Sequence, residues 1–186
     1  MADADVLQAW VGLVSDPSTA VVGLGNPDRG DDGIGIAIAA YIKARWHERV
    51  FFEGGRRAED TVLDLLESEA VRTVLFIDAV DFGGKPGDVR LFAGDRARQI
   101  LPPISTHTVP LALLMELIRG RGKRSFLLGI QPGSMNPSLG LSSAVRHALD
   151  GLAKALNRYC YSDHKKCGGG RNERPGGSDL LYKGSI

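Results

Sequence analysis

Three polar positions in this sequence have the type and setting to do chemistry. The first lies in Gly23-Leu24-Gly25-Asn26-Pro27-Asp28-Arg29-Gly30-Asp31-Asp32-Gly33-Ile34-Gly35. A glycine-rich loop between a strand and a helix commonly cradles phosphate on free backbone N–H groups. Here Pro27 interrupts the turn, and three aspartates crowd the place a pyrophosphate would take. Like charges repel, so the loop disfavours nucleotides and favours cations. Asp31 or Asp32 could simply cap the helix that follows, since an N-cap carboxylate accepts an orphan N–H. Two adjacent acids leave one for chemistry. The glycines Gly23, Gly25, Gly33 and Gly35, with Asn26, read as loop formers that permit close backbone approach.

The second position is Asp78, which ends a mostly apolar run in Val71-Arg72-Thr73-Val74-Leu75-Phe76-Ile77-Asp78-Ala79. An acid at the carboxyl end of a central strand sits at the mouth of an α/β crevice, where an unused charge is costly. The bland alternative is an acid that caps the next turn beside Asp81. The third is His107 in Ile104-Ser105-Thr106-His107-Thr108, where a loop becomes a helix. His47, His147 and His164 read as surface or packing residues. Two carboxylates and one imidazole from separate strand-end loops suit borderline divalent metals such as nickel, zinc or manganese. Three ligands leave positions open for water or substrate, and the same set without metal could activate water by acid–base chemistry. Cys160, His164 and Cys167 have metal-like spacing but lack an obvious fourth ligand. Neither cysteine, nor any serine, lies in a nucleophile motif, which disfavours an acyl-enzyme route.

The elements that must position these residues alternate strand and helix. Residues 1–15 suit a helix, with Val6, Trp10, Leu13 and Val14 at helical spacing. Residues 20–24 read as a buried strand, and the stretch from Asp32 through IGIAIAAYIKARW as a helix with an acidic start. Strand 50–52, helix 58–69 (Val62, Leu65 and Leu66 inward) and strand 71–79 follow. The turn 83–87 leads to DVRLF, expected as a hairpin partner of the preceding strand. A helix over 106–118, a strand over 125–130 and a last helix within 138–159 complete the pattern. This alternation predicts an α/β sandwich with a largely parallel sheet and helices on both faces.

The chain has 186 residues with 23 Lys+Arg against 22 Asp+Glu, for a formal net charge of +1. That balance excludes nucleic acid and anionic membrane as main partners, because both need a basic excess on one face. Two cysteines near the C-terminal end make no disulfide framework, so a reducing cytoplasm is expected. No apolar run is long enough for a membrane span. The opening MADADVLQAWVGLVSD has acidic residues and no basic ones, unlike a signal peptide. One α/β domain over 1–159 and a flexible glycine-rich tail over 160–186 are expected, since the last nineteen residues hold six glycines and little apolar content.

Four segments, VVGLGNPDRGDDGIG, IDAVDFGGKPGDVRL, STHTVPLALLMELI and FLLGIQPGSM, occur in this order. Together they resemble the hydrogenase maturation endopeptidases, most of all the type that processes the formate-hydrogenlyase hydrogenase. The resemblance covers residues 20–156. It implies a three-layer sandwich around a twisted, mostly parallel five-strand sheet, of the phosphorylase/hydrolase-like kind. It further implies an aspartic-type endopeptidase in which Asp32, Asp78 and His107 are both the catalytic and the metal-binding residues. The implied reaction removes a C-terminal peptide from a NiFe hydrogenase large-subunit precursor after nickel insertion. Nickel is then carried by the substrate as a recognition element, with no permanent cofactor, and the enzyme is expected to be a cytoplasmic monomer.

Rival readings leave distinct marks. VVGLGNP also opens peptidyl-tRNA hydrolases, but those need a histidine and an asparagine soon after it and a basic cleft. Here DRGDDGIG follows, with no histidine before His47. A non-catalytic nickel-sensing or chaperone-like module docking on hydrogenase precursors would use the same residues as the protease. A metal-dependent hydrolase with its own bound ion is the remaining class.

Overall fold

Short apolar runs rich in β-branched residues become strands, and amphipathic stretches between them become helices that cover the sheet. The structure, a computed structural model, describes residues 2–45, 50–52, 58–94, 96–97, 110–137 and 140–162. In chain order the elements are α1 (Ala4–Ser15), β1 (Thr19–Gly23), a 3-10 turn (Gly30–Gly33), α2 (Ile34–Lys43), β2 (Val50–Phe52) and α3 (Ala58–Glu67). Then come β3 (Thr73–Ala79), β4 (Val89–Ala93), α4 (Leu111–Gly120), β5 (Arg124–Ile130) and α5 (Ser143–Ser162).

The strands form one five-stranded sheet in the order β2-β1-β3-β5-β4. β2, β1, β3 and β5 run parallel, while β4 is antiparallel to β5. The mixed α/β sandwich expected from the alternation of elements is therefore the observed fold. One pairing differs. β4 is antiparallel as expected, but its partner is β5, which lies between it and β3. β3 is buried on both faces along nearly its whole length, which suits a central strand, whereas β4 mixes buried and exposed positions as an edge strand does. The connection after β3 crosses the end of β5: the Val80 N–H donates to the Ile130 carbonyl at 2.9 Å, and the Gly87 N–H to the Gln131 carbonyl at 2.9 Å.

Alternation along the strands divides the core into two layers. Val22, Val74, Phe76 and Leu127 pack against Val62, Leu65 and Leu66 of α3 and Leu114, Met115 and Ile118 of α4. Val21, Leu75, Ile77 and Leu128 pack against α1, α2 and α5 through Trp10, Ile34, Ile38, Ile42, Val145, Leu152 and Leu156. Trp10 is fully buried, and its Nε1–H donates to the Leu152 carbonyl at 3.3 Å. Tyr41 joins α2 to α5 by donating its hydroxyl to Asn157 Oδ1 at 2.9 Å. α3 ends earlier than its apolar pattern suggests. The Lys123 ammonium donates to the carbonyls of Leu65, Ser68 and Val71 at 3.0, 2.5 and 2.9 Å and so closes that terminus. α5 runs through Ser162; the remainder of the expected tail lies outside the described residues.

Candidate functional site

The carboxyl ends of the parallel strands form one pole of the molecule, and there the β1 and β3 exits lie side by side. Gly23 is in register with Ile77, and the pairing continues as the Leu24 N–H donates to the Ile77 carbonyl at 2.9 Å. α2 sits directly on these strand ends. A Cβ at Gly35 would lie 2.1 Å from the Ile77 oxygen and 2.4 Å from the Leu24 oxygen, so only a hydrogen fits. At Gly23 a Cβ would lie 2.4 Å from the Gly35 oxygen. Gly25 has φ +108°, and a Cβ there would strike the Asp32 carbonyl oxygen at 1.9 Å. The 3-10 turn therefore folds back over the exit of β1. Asn26 tightens the loop by accepting the Asp28 N–H on Oδ1 at 2.9 Å, and Gly33 lies against the Pro27 backbone.

This packing brings the Asp32 turn and the end of β3 together, with Asp78 one residue beyond Ile77. Asp32 and Asp78 are each 8% exposed. Asp32 has an ion pair with Arg29 at 3.8 Å, longer than a hydrogen bond and with the arginine side chain 41% exposed. Asp78 Oδ1 accepts the Ala79 N–H at 2.8 Å.

Asp31 behaves differently, although it is adjacent in sequence. It is 1% exposed, and its Oδ2 accepts the N–H groups of Gly133 and Ser134 at 2.8 and 3.0 Å. Its Oδ1 accepts the Ser142 N–H at 2.6 Å. Burial pushes its pKa up, but the N–H groups of Ser142, Ser134 and Gly133 outweigh burial and hold the carboxyl below its ordinary value. Neither aspartate caps α2, whose N-cap is Gly33 with no side-chain hydrogen bond. The capping role expected for one of the pair is replaced by a clamp across more than 100 residues of sequence. A carboxylate with two oxygens can serve three loop N–H groups, which a single cap cannot use.

A second polar residue at this pole escaped the sequence reading. Gln131, 7% exposed, accepts the N–H groups of Phe82 and Gly84 on Oε1, both at 3.0 Å, and donates Nε2–H to Asp81 Oδ1 at 3.0 Å. The Gly83 N–H and then the Gln131 amide hold the Asp81 carboxyl below its ordinary value. The turn after β3 is thereby fixed to the end of β5. The signal was present: Gln131 follows the apolar run Ser125–Ile130 much as Asp78 follows its own. Phe82 anchors the same turn, edge-on to Phe92 at 5.8 Å and beneath the Arg90 guanidinium at 4.6 Å.

Of the three candidate residues, Asp32 lies in the 3-10 turn and Asp78 at the end of β3, elements in contact with each other, while His107 lies outside the described residues. Among the described residues, no three His, Cys, Asp or Glu side chains are grouped to hold a metal ion. Cys160 is half-buried on α5; His164 and Cys167 lie outside the described residues, as does His47. His147 sits on α5 with Nδ1 2.6 Å from the Ser143 carbonyl oxygen, as expected of a surface residue. No helix among the described residues is long and apolar enough to cross a membrane.

Comparison with known proteins gives consistent results. The family model described as hydrogenase maturation protease matches residues 36–158. The hydrogenase 3 maturation protease of Escherichia coli K12 is 28% identical over 140 residues, which cover 73% of this chain and 86% of the relative. Among solved structures, a NiFe hydrogenase maturation protease from Thermococcus kodakarensis is 25% identical with a TM-score of 0.63, covering 80% of this chain and 99% of that one. A crystal structure of the hydrogenase 3 maturation protease is 25% identical with a TM-score of 0.62, covering 76% of this chain and 90% of that one.

Proposed function

This chain belongs to the hydrogenase maturation protease family, whose members are peptidases, and from that membership we propose what it cuts and how. It removes the C-terminal extension of a NiFe hydrogenase large-subunit precursor once nickel has been inserted, reading the substrate-borne nickel with Asp32, Asp78 and His107. The observation that carries this reading is the division of labour among the aspartates. Asp31 is consumed by loop N–H groups, whereas among the described residues Asp32, next to it, has only a loose ion pair, at a pole where Asp78 also emerges.

The physical logic follows from donor type. Two carboxylates and an imidazole are an incomplete set for a borderline metal. The set gains affinity only when the precursor brings nickel already held by its own thiolates, so unloaded precursor is spared. Arg29 is displaced from Asp32 when a dication arrives, since a 3.8 Å half-exposed pair offers little resistance. Once the chain is docked, one of these carboxylates accepts a proton from water as it attacks the scissile carbonyl and returns it to the leaving amine nitrogen as the C–N bond breaks. General-base assistance of this kind contributes about 10²–10⁴-fold. The nickel is part of the substrate, and the protein holds no cofactor of its own. The protein acts in the cytoplasm as a monomer.

The test is cleavage of a purified large-subunit precursor, nickel-loaded and nickel-free, read by intact mass. Loss of a C-terminal peptide from the loaded form alone is the expected result, with His107→Ala weakening that preference. Binding without cleavage of either form would replace the protease by a docking module. Equal cleavage of both would retain the protease and discard nickel reading.

A further inference from the structure

Asp31 takes no part in the reaction above, yet it is the most deeply buried carboxylate among the described residues. Its bonds reach both limbs of the β5–α5 connection: Gly133 and Ser134 on the outgoing limb, Ser142 on the returning one. Ser142 also begins α5, accepting the Val145 N–H on Oγ at 3.4 Å. The backbone of Asp31 joins the arrangement, as its N–H donates to the Ser134 carbonyl at 3.0 Å. Packing closes what remains: a Cβ at Gly133 would lie 3.3 Å from Pro86 Cβ and 3.4 Å from Asp31 Oδ2. The residue immediately before Asp32 is thus fixed from both sides, and the Asp32 N–H itself donates to Arg29 O at 3.2 Å within the same turn.

We propose that Asp31 is the positioning residue of the site, acting through Asp32. By holding residues 29–33 against Gly133, Ser134 and Ser142, it keeps the Asp32 carboxylate presented toward the end of β3 without touching substrate. This rests on the proposed function for its catalytic consequence, and on the hydrogen bonds alone for its structural one. A purely stabilising clamp would lower the fraction of folded protein but leave the folded protein's turnover unchanged. A positioning residue lowers turnover in fully folded protein, because misplacement of a reacting group by about 1 Å costs up to about 10²-fold.

Two measurements on the full chain decide it. The first is hydrogen exchange of Asp31→Asn. The amide side chain keeps one acceptor oxygen and presents an NH₂ where a second oxygen was needed. Faster exchange at Gly133, Ser134 and Ser142 and in 29–33 is expected; a rise confined to Gly133, Ser134 and Ser142 would show that Asp31 does not hold the Asp32 turn, and would overturn the proposal. The second is kcat on nickel-loaded precursor at a temperature where circular dichroism shows every variant folded. Asp31→Ala should lose at least about tenfold in kcat and Asp31→Asn an intermediate amount. Lys123→Met, destabilised at the opposite pole, should turn over like wild type. Wild-type kcat in both Asp31 variants would reduce Asp31 to a stabilising clamp. If wild type itself fails to cleave, the proposed protease reading is what fails, and the exchange result alone decides whether Asp31 holds the Asp32 turn.

Discussion

Replacing Asp32 by Asn separates function from fold more cleanly than any other change at this pole. The stability cost follows from what Asp32 touches. Its ion-pair partner is Arg29 at 3.8 Å, with the arginine side chain 41% exposed and the aspartate side chain 12%. Pairs of that kind contribute about 0–1 kcal/mol. Asn has nearly the same volume, so no cavity opens. A change of at most about 1 kcal/mol moves the melting temperature of a chain this long by roughly 2–4 °C. Asp78→Asn is similarly conservative in shape and keeps the oxygen that accepts the Ala79 N–H. The catalytic cost is far larger, because a neutral amide is a poor metal ligand and no base; about 10²-fold or more in cleavage rate is expected. The assay is intact-mass detection of the released peptide from nickel-loaded precursor, beside thermal melts of each variant. A folded Asp32→Asn or Asp78→Asn variant that cleaves at the wild-type rate would refute the assignment of the site. A melting temperature lowered by much more than a few degrees would refute the stability argument instead.

Three further outcomes test the frame around the site. Gly35→Ala places a methyl 2.1 Å from the Ile77 oxygen and 2.4 Å from the Leu24 oxygen, so α2 must lift from the strand ends; a loss of about 3 kcal/mol or more is expected by urea denaturation. Lys123→Met leaves the carbonyls of Leu65, Ser68 and Val71 without their charged donor and should cost about 2–3 kcal/mol by the same measurement. The Asp81 carboxyl titrates below its ordinary 3.8, chiefly through the Gly83 N–H and then Gln131. A folded-state value below the unfolded one stabilises the turn above that ordinary value, and the contribution fades as pH falls below it. Gln131→Ala should therefore raise the Asp81 value part of the way back, seen as a shifted carboxyl titration in carbon-detected NMR.

Much of the fold was legible because its signals are local. The runs at 20–24, 71–79 and 125–130 are mostly apolar, as strands buried on both faces require, and α1 announces itself by Trp10 and Val14 at helical spacing. Pairing was not local. Nothing in DVRLF says that its partner is 35 or more residues ahead rather than just behind, because antiparallel alternation looks the same against either neighbour. The site shows the same limit. That one of Asp31 and Asp32 serves the structure could be anticipated from their adjacency to a helix start. Which one, and for what purpose, depended on N–H groups at Gly133, Ser134 and Ser142, more than 100 residues away.

The distribution of polar bonds at the carboxyl-terminal pole has a consequence for how such a site can remain stable while holding two acids ready. Buried carboxylates destabilise unless hydrogen-bonded. Here the cost is kept off the core by assigning the bonds unequally. Asp31 and Gln131 take the backbone N–H groups of the two loops, three and two respectively, and lock those loops to α5 and to the end of β5. Among the described residues, the loop N–H groups held by Asp31 and Gln131 are satisfied without the Asp32 carboxylate. The arrangement has a testable asymmetry: Asp31→Ala removes acceptors from three N–H groups and should destabilise by about 2–3 kcal/mol, whereas Asp32→Asn should be near neutral. Two neighbouring aspartates of equal charge would then differ in stability cost, Asp31 being costly to both stability and turnover and Asp32 to cleavage alone. Equal stability losses for both would mean that Asp32, too, belongs to the frame.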